Sequence, residues 1–125
     1  ECGECGGDGS ACDPCLLPTD LEKALDGCKY LDDADLSNSN LTGADLSNAF
    51  LNFANLENAI LTNANLSNGI LLNAYLRDAD LTGANLTNAN LTDTYLGGVT
   101  WFNTTCPDST NSNDNDDTCE DNLEF

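Results

Sequence analysis

At 125 residues and 13.2 kDa the chain has room for one domain. Its 22 acidic residues against 3 basic ones give a net charge of -19, which argues against neutralising a phosphate backbone or approaching an anionic lipid surface. There is no His, the commonest general base and metal ligand, and no apolar run nears the ~18 residues that cross a bilayer. No nucleophile with an adjacent base, phosphate-binding loop or catalytic carboxylate pair stands out, so the chain reads as non-catalytic, with neither nucleic acid nor membrane as a direct partner. It begins at Glu1 and contains no Met, which reads as a processed or trimmed terminus compatible with a removed export signal.

Residues 1–18 are Cys-rich. Cys2-Gly3-Glu4-Cys5 and Cys12-Asp13-Pro14-Cys15 are two C-x2-C knuckles separated by six residues, with glycines that permit tight turns. Four thiolates so arranged suit tetrahedral zinc, and the same four cysteines suit a pair of disulfides in an exported protein. Both readings stand. The stretch from Cys2 to Gly9 also resembles the C-x2-C-x-G-x-G unit of the cysteine-rich zinc domain of Hsp40-type chaperones, which implies one structural zinc on Cys2, Cys5, Cys12 and Cys15. The chaperone domain uses several such units where this chain has one.

Residues 19–28 predict a short helix. Thr19-Asp20-Leu21-Glu22 is a capping box, Lys23-Ala24-Leu25 continues it and Gly27 stops it, giving about seven or eight residues. Leu21, Leu25 and Cys28 are then placed to lie as a lid on whatever follows. Cys28, the odd one of seven cysteines, reads as a buried free thiol.

From 29 to 103 the sequence repeats every five residues. Leu occupies each fifth position from Leu31 to Leu96, and Trp101 falls on the next beat. Two residues before each beat stands a small residue, such as Ala34, Ala54, Gly69, Ala74 or Thr94, so the unit is A-(D/N)-L-x-x. A five-residue step turns an α-helical side chain by about 140° and would scatter the leucines. In a two-residue alternation an odd step would put successive leucines on opposite faces. A chain that turns a corner once per unit keeps every Leu, and the small residue two before it, on one interior.

This pattern resembles the pentapeptide-repeat family. The resemblance implies an all-β fold, a right-handed quadrilateral β-helix of about four coils, roughly 15 to 20 Å tall at the ~4.8 Å strand spacing. Residues 20 apart should then stack on the same face. Thr42, Thr62 and Thr82, Ser47, Ser67 and Thr87, and Asn48, Asn68 and Asn88 are expected to form ladders that bond copy to copy, and Glu57 with Arg77 to pair. Phe50, Phe53, Ile60, Ile70, Leu72, Tyr75 and Tyr95 replace the usual outward Asp, Asn, Ser or Thr. Phe50 stacks with Ile70 and Tyr75 with Tyr95, one coil apart, on two adjoining faces. Such a patch reads as an interaction surface for a protein partner or a second copy, or as rings that cover one another.

Residues 104–125 are an acidic Asn/Asp-rich tail. Trp101 and Phe102 are bulky enough to close the last layer. Cys106 and Cys119 bracket a turn-rich segment and read as a disulfide, which, with a possible pair in the first segment, points to an exported protein in a periplasm, lumen or extracellular space. From Asn111 an EF-hand template fails, having Asp116 at its sixth position and Asn122 at its twelfth. The expected function is a non-catalytic structural or protein-interaction module. The family resemblance also implies an alternative, an acidic DNA mimic that binds a type II topoisomerase; the charge suits it, whereas the short length and the expected disulfide do not.

Overall fold

The computed structural model describes residues 19–120. It opens with α1 (Asp20–Leu25), six residues long and shorter than expected. Thr19 is extended as the N-cap and its hydroxyl oxygen accepts the Glu22 amide at 3.1 Å. The same hydroxyl donates to the Glu22 carboxylate at 2.6 Å, so the box closes between side chains. Gly27, at φ +96, ends the helix, and the Cys28 amide bonds back to the Lys23 carbonyl at 2.9 Å. Ala24 and Cys28 are buried under the first coil and Leu21 partly so. Leu25 is 52% exposed and does not join the lid, because it falls at the edge of the stripe formed by positions 21, 24 and 28. Cys28 is disulfide-bonded, which corrects the free-thiol expectation.

Beyond α1 the backbone pairs with itself in parallel, 20 residues on, at every fifth position. The bridges define four columns: Tyr30, Phe50, Ile70 and Asn90 on the first face; Asp35, Asn55, Tyr75 and Tyr95 on the second; Asn40, Ile60, Asp80 and Thr100 on the third; Asp45, Asn65, Asn85 and Thr105 on the fourth. Four coils of four sides result. The leucines from Leu31 to Leu86 are fully buried and the small residues line the corners between them. Each buried Leu contributes about 2 kcal/mol.

Each corner has one construction. The amide of the small residue bonds the carbonyl of the preceding Leu, as from Ala64 to Leu61 at 3.0 Å, closing a four-residue turn. The third residue of that turn has positive φ at every corner from Asp33 to Asn103. A type II turn requires this, and only Gly, Asn and Asp adopt it cheaply. Asn, Asp or Gly therefore fills the position two after each beat, with Phe53, at φ 61, as the exception among the described corners.

Where an Asp or Asn stands before the Leu, it braces the same turn. Asn65 Oδ1 accepts the Ser67 amide at 3.0 Å and its hydroxyl at 2.7 Å. Asn40 with Thr42, Asp45 with Ser47, Asp80 with Thr82 and Asn85 with Thr87 repeat the arrangement. The hydroxyls thus bond two residues back within their own coil, where an acceptor is already in reach, and not to their copies in the next coil. This replaces the expected copy-to-copy hydroxyl ladders.

Both open ends carry caps. At the first coil the Asp20 carboxylate accepts the Asp35 amide at 2.8 Å and the Lys29 ammonium donates to the Asp45 carbonyl at 2.9 Å, two groups with no preceding coil to pair with. At the other end the coil runs on past 103: Thr104 takes a small-residue position and Cys106 an inward beat. The chain then reverses, and Thr105 pairs antiparallel with Asn111. Thr110 accepts the Cys106 amide at 2.7 Å, and Ser112, fully buried, donates its amide to the Thr104 carbonyl at 2.8 Å. Asn113 Oδ1 accepts the Asn103 amide at 2.8 Å. The disulfide between Cys106 and Cys119 holds this return segment in place, with both cysteines fully buried. Trp101 is buried within the cap. Phe102 is 59% exposed, because the position after the beat points outward, and so it does not help close the layer.

Candidate functional site

The outward apolar residues gather mainly on the first and second faces. Tyr30 stacks on Phe50 with ring centroids 5.7 Å apart and planes 6° from parallel, and Tyr75 on Tyr95 at 4.9 Å and 5°. The coil spacing of about 4.8 Å sets both separations, so a ring column forms wherever aromatics recur 20 residues apart. Ile70 extends the first column beneath Phe50. Phe53 stands on the corner between the two faces, and its amide bonds the Leu72 carbonyl at 2.9 Å, which places those residues side by side in neighbouring coils. Ile60 is separated from them. It stands in the third column, across the prism from Phe50, between Asn40 and Asp80.

Two features were not read in the sequence. Tyr30, 74% exposed, heads the first ring column, and the signal was its place 20 residues before Phe50. Arg77 lies over Tyr95, with its guanidinium carbon 5.4 Å from the ring centre, and is not ion-paired with Glu57. The ring below draws the flat guanidinium down onto it, an attraction worth about 0.5–1 kcal/mol at an exposed site.

Apolar residues before the beat cannot brace the turn that follows, and the first face makes this good from the neighbouring coil. Asp32 Oδ1 accepts the Asn52 amide at 2.9 Å, and Asn52 Oδ1 accepts the Leu72 amide at 3.1 Å. The turns after Phe50 and Ile70 are thereby held while both side chains remain outward.

Acidic groups border this surface. Asp32, Asp33 and Asp35 are exposed in the first coil, and Asp78 and Asp93 in the lower ones. Of the cations, Lys23 pairs with Asp20 at 3.4 Å and Lys29 with Asp45 at 3.6 Å, while Arg77 is on Tyr95. The Ser37 hydroxyl and amide hold the Asp35 carboxyl below its ordinary range, and Ser47 does the same for Asp45.

Cys2, Cys5, Cys12 and Cys15 lie outside the described residues. Among the described residues no group of three or more His, Cys, Asp or Glu is placed to hold a metal ion, and no cavity opens. No described helix is long and apolar enough to cross a membrane.

The family description "Pentapeptide repeats (8 copies)" matches residues 30–63 and 59–98. The chain belongs to the pentapeptide-repeat family. Its fold is the family's right-handed β-helix, and members of the family are generally structural or interaction modules. Solved structures similar to this pentapeptide-repeat chain include Rfr23 from the cyanobacterium Cyanothece 51142, at 39% identity over 56% of this chain and 54% of that one, with a TM-score of 0.48. Another is alr5209 from Nostoc PCC 7120, at 32% identity over 65% and 72% of the two chains, with a TM-score of 0.40. A third is a thylakoid-lumen pentapeptide repeat protein of Arabidopsis thaliana, at 31% identity over 60% and 63%, with a TM-score of 0.27. The match spans about half the length of Rfr23. No curated protein matches the chain.

Proposed function

We propose that the chain is a non-catalytic protein-interaction module whose contact surface is the first and second faces of the β-helix. The observation that carries this is the two stacked ring columns, with Phe53 exposed at the corner between them and Ile70 continuing the first column. Contiguous exposed apolar surface on a small domain marks contact with another molecule. The inward leucines and braced corners supply the fold without these side chains, so the surface is free to serve a partner.

The compartment proposed is an oxidising one, in a periplasm, lumen or extracellular space. Cys28, Cys106 and Cys119 are all disulfide-bonded, a state that reducing compartments do not maintain. In such a compartment the N-terminal cysteines pair with one another or with Cys28 in preference to holding zinc.

The test is the double substitution Phe50→Ser with Tyr75→Ser. The melting temperature should stay within a few degrees of wild type, while capture of a partner, or self-association seen by sedimentation, is lost. A large fall in melting temperature with unchanged association would assign the rings to packing and refute the proposal.

A further inference from the structure

We infer that the first face and the adjoining corner form a docking site for a cationic amphipathic segment of a partner protein, one with an apolar centre and Lys or Arg on either side of it. This rests on the interaction reading above and gives the partner its chemistry.

Three observations converge. The first is the layout of the face along the coil axis. Phe50, Ile70, Leu72 and Phe53 occupy the second and third coils, Asp32 and Asp33 stand above them in the first, and Asp93 below them in the fourth. Three coil spacings of ~4.8 Å separate the upper and lower acids, about 14 Å. That distance is spanned by four or five extended residues at ~3.3 Å each or by roughly nine helical ones at ~1.5 Å. A segment of either kind would set its apolar side chains on the rings and its cations on the two acidic borders.

The second is that the chain's own cations do not neutralise those borders. Lys23 and Lys29 are paired with Asp20 and Asp45, and Arg77 is on Tyr95. A second copy laid face to face would bring Asp32, Asp33 and Asp93 against their own kind, within a chain of net charge -19. Like charges across an interface suppress that pairing, and complementary ones steer the right partner in.

The third is Phe53. It holds the left-handed backbone conformation that Asn, Asp or Gly holds at the other described corners, yet it is 52% exposed. A side chain other than Gly in this region carries backbone strain, and burial within the chain only partly offsets it here. Strain kept at an exposed aromatic on the border of a patch points to a contact made outside the chain.

The probe is an octapeptide with two lysines at each end and Leu-Phe-Leu-Phe between them, titrated into the full chain by calorimetry. Two control peptides accompany it, one with the lysines replaced by glutamates and one with the four central residues replaced by alanines. Binding should be strongest for the first, weaken with salt, and fall about tenfold or more in Phe50→Ser/Phe53→Asn, while Ile60→Ser on the third face leaves it unchanged. Equal binding of the Lys/Leu-Phe and Lys/Ala peptides would mean that charge alone is recognised and would overturn the proposal. So would equal binding by the Phe50→Ser/Phe53→Asn and wild-type chains, or a wild-type dimer in sedimentation that this variant abolishes. If instead the variant melts far below wild type, the broader interaction reading fails with it; unchanged melting with no preference among peptides defeats only the cationic partner.

Discussion

Replacing Asn68 by Val should destabilise the β-helix, and replacing it by Gly should not. Asn68 holds φ 59 at a corner of the second and third coils, its side chain is exposed, and its amide bonds the Thr87 carbonyl at 2.9 Å whatever the side chain. Nothing but the backbone conformation is therefore being tested. The left-handed region costs an ordinary L-residue about 1–2 kcal/mol, and a β-branched one stands at the upper end. Gly bears no such penalty and loses only some unfolded-state restriction, so it should fall within about 1 kcal/mol of wild type. For a domain near 100 residues 1 kcal/mol moves the melting temperature by roughly 4–8 °C, which puts the Val variant some 5–15 °C below wild type. Thermal unfolding followed by circular dichroism reads this directly. A Val variant as stable as the Gly variant would refute the account of the corners.

Leu66→Ala, in a fully buried inward position, should cost about 2–5 kcal/mol, whereas Asn65→Asp, which keeps both bonds from Ser67, should change stability little; urea denaturation separates them. Asp35 and Asp45 have lowered folded-state pKa values, so their contribution is present above the unfolded carboxylate range near pH ~4 and is lost as pH falls through the folded value. In an NMR titration Ser47→Ala should raise the Asp45 pKa towards the ordinary value, and no change would remove Ser47 as its cause. Reductant should free the return segment after Cys106 for proteolysis while the middle coils resist, since their contacts are with neighbouring coils; loss of the whole repeat would contradict this.

The core was legible because every Leu from Leu31 to Leu86 obeys one beat, and the only buried surface available to such a chain is the one the beat defines. The columns followed from the 20-residue coil, which paired Phe50 with Ile70 and Tyr75 with Tyr95 correctly. What was missed depends on local competition. Ser67 and Thr87 were expected to reach the next coil, but an acceptor two residues back is nearer. Arg77 was expected on Glu57, but its guanidinium lies over the Tyr95 ring. The Asn, Asp or Gly after every beat was visible and unread, because polar composition alone does not distinguish a turn's conformational demand from solvation. The tail read as a loop because its order comes from edge bonds such as Ser112 to Thr104, which no hydrophobic pattern announces.

Residue-resolved amide hydrogen exchange tests the coil most directly. In the middle coils the amides of the beat, of its two neighbours on the small-residue side and of the corner residue are bonded to backbone carbonyls, while the amide just after the beat depends on the Asp or Asn brace. Protection should therefore repeat every five residues with its minimum after each Leu, and be lowest at Thr62 and Arg77, which follow Ile60 and Tyr75 and have no such brace. Protection that alternates every second residue, or that is as high at Thr62 and Arg77 as at Leu61 and Leu76, would contradict the four-sided coil.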